Sequence, residues 1–478
     1  MRSNNIKALN IKTDQPLYSF FMEADDLRID PNKNTIICGD NFTWLDYIPN
    51  ESIDMCYIDP PFFSNKKYNY IWYPKGDKDN PEIRSFKDIW EGGIDHYIYW
   101  IRPRIEKIWF KLKKTGSIFL HCDWHASHRL RCLLDEIFKE RNFKNEIIWH
   151  YGQRNMSKVK QFNRKHDSIF WYTKSKKAPF TMLTEPYESL DEIRAWRGTV
   201  FDEKGRECTS IDQGRGKPRK LKPIKDIFDE GRALDSVWNI KFLGSKNPER
   251  VGYPTQKPEE LLERIIKCST KEGDVVLDCF CGGGTTAKVC CDLNRKFIVG
   301  DITPVACKVT ENRIKSQCDN VQYELKNYPS TVEMFKKIDG HKFEELICDI
   351  MDWTLNPKRH TGDGTIDAWD KDGTPIQIKN GTTKGSKVDP EMIKAFESTI
   401  RYNKKKKGIY VAWGYSPKAW GLINDFRRDG IDIELLKCEE ILSKFALIVS
   451  ETEDRKNTQA YKRFISKIDG ATELESAS

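Results

Sequence analysis

Short runs of consecutive apolar residues recur along this 478-residue chain and alternate with stretches whose apolar positions return every three or four residues. Such runs, bounded by polar residues, are the mark of strands buried on both faces. The intervening period is that of amphipathic helices. The pattern is plain from about Asn34 to Tyr172, where Ile53-Asp54-Met55-Cys56-Tyr57-Ile58 is one such run, and it resumes at Tyr253. There Asp274-Val275-Val276-Leu277-Asp278 and Lys296-Phe297-Ile298-Val299-Gly300-Asp301 flank a helical stretch, which makes a βαβ unit. The alternation predicts an α/β fold with a mainly parallel, doubly wound sheet.

Between the two patterned regions, from Thr173 to Asp235, the composition shifts to Lys, Arg, Gly, Pro and Asp and reads as a loop-rich insertion. A helix is expected to end near Ser316, followed by a poorly patterned stretch to Asp339 and a second, smaller α/β segment. The domains expected are therefore 30–318 with the insertion 173–235, then 338–450, then a polar tail 451–478 that reads as disordered.

Composition narrows the class. Length alone implies two domains. The 80 Lys and Arg against 72 Asp and Glu leave +8, which suits a polyanionic partner. Fourteen Cys without a regular framework, in a chain too long to need staples, read as reduced thiols of a cytoplasmic protein. No stretch approaches the roughly 18 apolar residues of a membrane span, and Met1 to Leu17 lacks an apolar leader segment.

Two short motifs carry chemistry. Asp278-Cys279-Phe280-Cys281-Gly282-Gly283-Gly284-Thr285-Thr286 is a glycine-rich turn where a strand gives way to a helix. It has neither the dinucleotide spacing nor a phosphate-gripping Lys, so an adenosine ligand without phosphates fits it better. Asp301, ending the next strand, is placed to accept hydrogen bonds from ribose hydroxyls. Asp59-Pro60-Pro61-Phe62 follows a buried strand and holds a carboxylate on a stiff backbone at that strand's carboxyl end. An exocyclic base amine has its lone pair delocalised into the ring. Hydrogen bonds from it to the Asp59 carboxylate and the Pro60 carbonyl would localise that pair, and Phe62 could stack on the extruded base. The group His121, Cys122, His125 and His128 has metal-ligating types but no second pair at a suitable spacing, so packing and capping are the preferred reading.

With these motifs in this order, the sequence resembles the β class of DNA amino-methyltransferases, in which D-P-P-[YF] precedes the target-recognition region and a donor-binding F-x-G-x-G. Gly39-Asp40, Gly116 to Asp123, Asn145 to Trp149, and Thr255-Gln256-Lys257-Pro258 with Leu262 and Arg264 to Ile266 support the match, which spans about Asn34 to Ser316. The resemblance implies a Rossmann-like fold with permuted motif order and S-adenosylmethionine as donor. Asp40 would meet the adenine amine of the donor, Thr255, Gln256, Lys257 and Pro258 would line its methionine end, and Asp278, Phe280, Gly282 and Gly284 would shape its loop. The Asp at position 59 favours N6 of adenine over N4 of cytosine. The insertion lies where the family keeps target recognition, with Arg194, Arg197, Arg215, Arg219 and Lys220 as candidate contacts to double-stranded DNA. The family further implies a restriction-modification setting in a bacterial or phage cytoplasm, and admits a homodimer.

From Phe343 a second constellation appears, with Glu344 on a helix, Gly362-Asp363-Gly364-Thr365-Ile366-Asp367 before a turn, and Pro375-Ile376-Gln377-Ile378-Lys379 after it. Gln377 and Lys379 share one face of their strand. This part resembles the Mrr-type PD-(D/E)xK restriction endonucleases, which implies Asp367 as a Mg2+ ligand, Lys379 beside the attacking water, and Gln377 in place of the usual acid. Three other readings compete: an RNA methyltransferase, an inactive DNA-binding scaffold, and a chain whose main activity is the carboxy-terminal nuclease.

Overall fold

The computed structural model describes residues 28–63, 66–71, 82–88, 93–152, 160–212, 214, 218–244, 247–251, 253, 255–328, 332–336, 338–351, 353–357, 366–380 and 387–444. Nine strands build the main sheet, in spatial order Val237–Asn239, Phe143–His150, His166–Thr173, Leu112–Cys122, Ile53–Ile58, Val275–Asp278, Lys296–Asp301, Asn34–Cys38 and Tyr323–Lys326. Neighbours run parallel except at His166–Thr173, which is antiparallel to both of its neighbours.

Alternation along the strands separates two cores, as a pleat with period two requires. Ile37, Cys56, Ile58, Leu277 and Ile298 face one side and pack with the helices Gly93–Lys111 and Ser127–Phe138. Ile36, Met55, Tyr57, Val276, Phe297 and Val299 face the other and pack with Glu259–Ser269, Thr285–Asp292 and Pro304–Gln317. Both faces are covered, so the central strands read as unbroken apolar runs. Chain order and spatial order differ. The late strand Val275–Asp278 lies between Ile53–Ile58 and Lys296–Asp301, with Leu277 beside Cys56. This puts Asp59 and the glycine-rich turn side by side on the carboxyl edge of the sheet.

Two expectations need correction. The stretch after Ser316 supplies the ninth strand, Tyr323–Lys326, so the sheet extends past residue 318. Only four residues long and half-buried, it has too few apolar positions for its period to register. The insertion, expected to be loop-rich, is a small folded unit. The antiparallel strands Thr199–Phe201, Glu207–Ile211 and Lys220–Pro223 join the helices Leu190–Trp196 and Ile224–Glu230 around Ile193, Ile224 and Ile227. Three isoleucines hold it, and its polar outer surface masks them in the composition.

The carboxy-terminal part is a five-stranded sheet in the order Thr354–Leu355, Ala368–Trp369, Pro375–Lys379, Lys407–Ala412 and Asp432–Lys437. The first three strands pair antiparallel and the last three parallel. Helix Gly340–Met351 covers one face, and Pro390–Tyr402 with Pro417–Arg428 covers the other. Both of the latter helices start with proline behind a capping side chain, Asp389 or Ser416, which supplies the first-turn acceptor and presets φ. Tyr253, Val305, Ala306 and Val309 of the larger domain belong to the same apolar cluster as Phe343, Leu346 and Ile347, so the two parts share a core. The tail expected to be disordered lies outside the described residues.

Candidate active site

The glycine-rich turn owes its shape to one buried carboxylate, one partly buried carboxylate and three glycines. Asp278 accepts from the Phe280 amide at 3.0 Å and from the Thr286 hydroxyl at 2.5 Å, pinning the turn to the helix that follows. Burial, with the nearby charges of Asp59 and Asp301 adding to it, pushes the Asp278 carboxyl up to about 7 against the pull of those hydrogen bonds. Asp301 accepts from the Gly282 amide at 3.0 Å and the Thr303 amide at 3.1 Å, so it buttresses the turn from the neighbouring strand; burial raises it too. Gly282 and Gly284 have φ of +46° and +73°. A Cβ at Gly282 would meet the Tyr253 ring at 2.8 Å, and one at Gly284 would meet Thr310 at 2.7 Å. No other residue fits that cradle. Phe280, partly buried, packs against Trp100 with ring centroids 6.0 Å apart.

Other residues expected at the donor pocket have structural partners. Both Asp40 oxygens accept from the buried Arg104 guanidinium at 2.9 Å, and one also caps a short helix through the Phe42 amide at 2.8 Å. Gln256 is buried and closes its own loop, accepting from the Val251 amide and donating to the Glu249 carbonyl. Pro258 begins the helix Glu259–Ser269, and Thr255 stands partly exposed before it. The Lys257 carbonyl accepts from Thr285 at the start of the helix after the glycine turn, which ties these two segments together.

Lys257 also reaches the loop from Asp59 to Phe62. Its ammonium donates to Asp59 Oδ2 and stands 5.0 Å above the Phe62 ring. Asp59 Oδ1 is buried and has no hydrogen-bond partner. Beyond it lies His121, at the end of Leu112–Cys122, with Nδ1 3.8 Å from Asp59 Oδ1. The Tyr57 hydroxyl bonds that same Nδ1 at 2.8 Å, and Nε2 faces Asp167 Oδ2 at 3.2 Å. Tyr151 donates to the other Asp167 oxygen at 3.3 Å. Burial works against the Asp167 charge, but the bond and charge of His121, with Lys257 and Tyr151, outweigh it and hold the group below its ordinary value. Phe62 packs beside His121 at 5.5 Å, and Pro60 is buried behind Pro61.

Tyr57, His121 and Asp167 were not expected in this site. Tyr57 was legible in principle, lying two residues before Asp59, near the end of the strand that Asp59 follows. His121 and Asp167 come from adjacent antiparallel strands and meet only because of that pairing. Among the described residues no group of three His, Cys, Asp or Glu could hold a metal.

In the insertion, Arg194 is spent on Glu207 at 2.6 and 2.9 Å and on Asp191 at 2.7 Å, so it braces a helix to a strand. Arg219 bonds Ser210 through its hydroxyl and carbonyl. Arg197 and Lys220 are exposed, and Arg215 lies outside the described residues. In the smaller domain Asp367 sits opposite Gln377. One of its oxygens accepts from both the Gln377 side chain and the Ile378 amide at 2.7 Å. Glu344 faces His341 at 3.5 Å, Lys379 is exposed, and Gly362 to Thr365 lie outside the described residues.

Residues 53–312 match a family described as DNA methylase, and residues 335–444 match one described as restriction endonuclease. The type II methyltransferase M2.DpnII of Streptococcus pneumoniae is 28% identical over 327 residues, covering 66% of this chain and 98% of that protein. The type II methyltransferase M1.MboII of Moraxella bovis is 30% identical over 273 residues, 55% of this chain and 88% of that protein. The DNA adenine methyltransferase YhdJ of Escherichia coli is 26% identical over 291 residues, 61% of this chain and 86% of that protein.

Proposed function

The chain belongs to the DNA methylase family, and from that premise we propose that it methylates N6 of adenine in double-stranded DNA, with S-adenosylmethionine as donor. The observation that carries this reading is the Asp59 carboxylate. It ends a buried strand beside the glycine turn, with Oδ1 buried and unpartnered. A buried acceptor without a donor costs about 1–3 kcal/mol, a cost that an incoming amine relieves. The glycine turn at the sheet's carboxyl edge, packed too closely on Tyr253 and Thr310 to admit a Cβ, supports donor binding there. When bound, the donor supplies a methyl group on a positively charged sulfur.

The chain's own residues do the rest. The flipped base enters beside Phe62, and its amine donates to Asp59 Oδ1 and to the Pro60 carbonyl. Two acceptors on one nitrogen draw its hydrogens out of conjugation and turn its lone pair toward the methyl carbon. A relative named as an adenine methyltransferase favours adenine, as does Asp at position 59. Incubation of the protein with unmethylated DNA and labelled donor, then mass spectrometry of the nucleosides, tests the reading. N6-methyladenine is the expected product. N4-methylcytosine would overturn the base assignment and keep the reaction class.

A second reading concerns residues 335–444, whose match to restriction endonucleases favours contact with DNA and its cleavage. The described residues do not assemble a Mg2+ site: Asp367 has an oxygen committed to Gln377 and Ile378, and no three-ligand group forms around it. Cleavage of unmodified DNA in Mg2+, compared with EDTA, tests this reading, and intact DNA in both would leave binding as the domain's role.

A further inference from the structure

The site contains a fully buried imidazole that methyl transfer as described does not use. We propose that His121, backed by Asp167, is the acceptor for the proton that the amine must lose. This rests on the reading of Asp59 given above. As the amine nitrogen forms its bond to the methyl carbon, the carbon–sulfur bond breaks and its electron pair stays on sulfur. The nitrogen then carries a positive charge and one proton too many.

Asp59 Oδ1 is the nearest base, but it cannot keep that proton. Lys257 sits against Oδ2 in a nearly water-free site, and a neutral Asp59 would leave the ammonium without its counter-charge. The next group in line is His121 Nδ1, at 3.8 Å from Oδ1. Catalytic contacts of this kind are long in free enzymes and tighten with substrate bound. Tyr57 holds Nδ1 at 2.8 Å, and its hydroxyl stays neutral because burial raises it far above its ordinary value. Donation from that hydroxyl keeps Nδ1 as the acceptor nitrogen and directs Nε2–H at the Asp167 carboxylate, 3.2 Å away. For Nδ1 to receive the proton, the Tyr57 O–H must first turn away from its one lone pair; the imidazolium that forms carries a charge Asp167 already faces, and the Tyr57 oxygen then accepts from the new N–H.

The balance closes. The proton moves from nitrogen to Asp59 Oδ1 and on to His121 Nδ1, leaving a neutral methylamine, a charged Asp59–Lys257 pair and a charged His121–Asp167 pair. Phe62 and Trp149, each 5.5 Å from the imidazole, keep the relay from water during the step. Other titratable groups near the relay are Asp123 and Cys122, which feel the Asp167 charge, Asp278, which acts on Tyr57, and Tyr151, which bonds Asp167. His121 acts through Asp59, so it is a positioning residue and proton acceptor rather than a group that touches the base.

The test is single-turnover methylation of a saturating DNA duplex from pH 5 to 9 with wild type, His121→Gln and Asp167→Asn, with donor affinity measured alongside. The expected result is a wild-type pH profile with one limb set by the relay. His121→Gln should slow the step about 10²-fold and remove that limb. Asp167→Asn should slow the step as well and alter that limb, because Asp167 faces the imidazolium that the step forms. Donor affinity should stay within twofold. Wild-type rates and an unchanged pH profile in both variants, with Asp59→Ala inactive, would overturn the relay alone. An active Asp59→Ala would overturn the reading beneath it.

Discussion

Lys257 and Asp59, 198 positions apart in sequence, form an ion pair that leaves one Asp59 oxygen buried and unpartnered. The pair joins the two motifs on which the reaction depends, and it puts a cation next to the carboxylate before any substrate arrives. The lysine was expected at the methionine end of the donor. Its ammonium reaches the Asp59 loop, so in the proposed reading donor and base pockets would share one side chain.

Removing Asp59 should therefore do two things. Asp59→Ala should abolish methyl transfer while donor affinity stays within a fewfold. It should also destabilise the protein by about 3–5 kcal/mol, because Lys257, with only a tenth of its side chain exposed, loses its partner. Chemical denaturation checks the second effect. Adding Lys257→Met to Asp59→Ala should recover part of the stability and none of the activity. Equal stability of the single and double variants would argue against a buried pair.

Gly284 tests the cradle. With φ of +73° and a Cβ site 2.9 Å from the Thr310 backbone, Gly284→Ala should cost about 2–4 kcal/mol from left-handed strain and crowding. Calorimetric titration should show donor affinity at least tenfold weaker. A variant that binds donor normally would place the ligand elsewhere.

Asp278 predicts a pH dependence. Its carboxyl is raised from 3.8 to about 7 in the folded protein, so between these values the native state holds a proton that the unfolded state has released. Stability from this group is full below about pH 4 and is lost as pH rises to about 7. Asp278→Asn should remove that component. The difference in urea midpoint between wild type and variant should be larger at pH 8 than at pH 5, in favour of the variant. A difference independent of pH would mean that Asp278 is ionised throughout.

The cations of the insertion should separate by partner. Lys220→Ala should lower the slope of log affinity for DNA against log salt by about one. Arg194→Ala should leave that slope unchanged and instead loosen the insertion, as read by proteolysis, because its guanidinium is already bonded to Glu207 and Asp191. A reduced slope for Arg194→Ala would mean that DNA displaces those partners.

Asp367→Ala should leave methylation unchanged, remove any Mg2+-dependent cleavage, and cost about 1–3 kcal/mol from the orphaned Ile378 amide. Since the two domains share an apolar cluster through Tyr253, slower methylation in this variant would show that the halves are coupled.

By itself the sequence determined the elements with strong periodicity, and with them the fold class, the two-part organisation and the two loops proposed to carry the chemistry. Ile53–Ile58 and Lys296–Asp301 are legible because a strand buried on both faces has to be apolar throughout. Asp59 and Gly282 to Gly284 stand out because a stiffened acidic turn and a left-handed loop each admit few residue types. Only the tertiary structure decided what those residues touch. Asp40 and Gln256, expected at the donor pocket, and Arg194, a candidate DNA contact, are each bonded within the protein, to Arg104, to its own loop and to Glu207. Tyr323–Lys326 was missed because a short edge strand buries too little to show a pattern. His121, Asp167 and Lys257 converge on Asp59 from three separate stretches of chain. Their meeting follows from strand order and antiparallel pairing, and no local spacing encodes either.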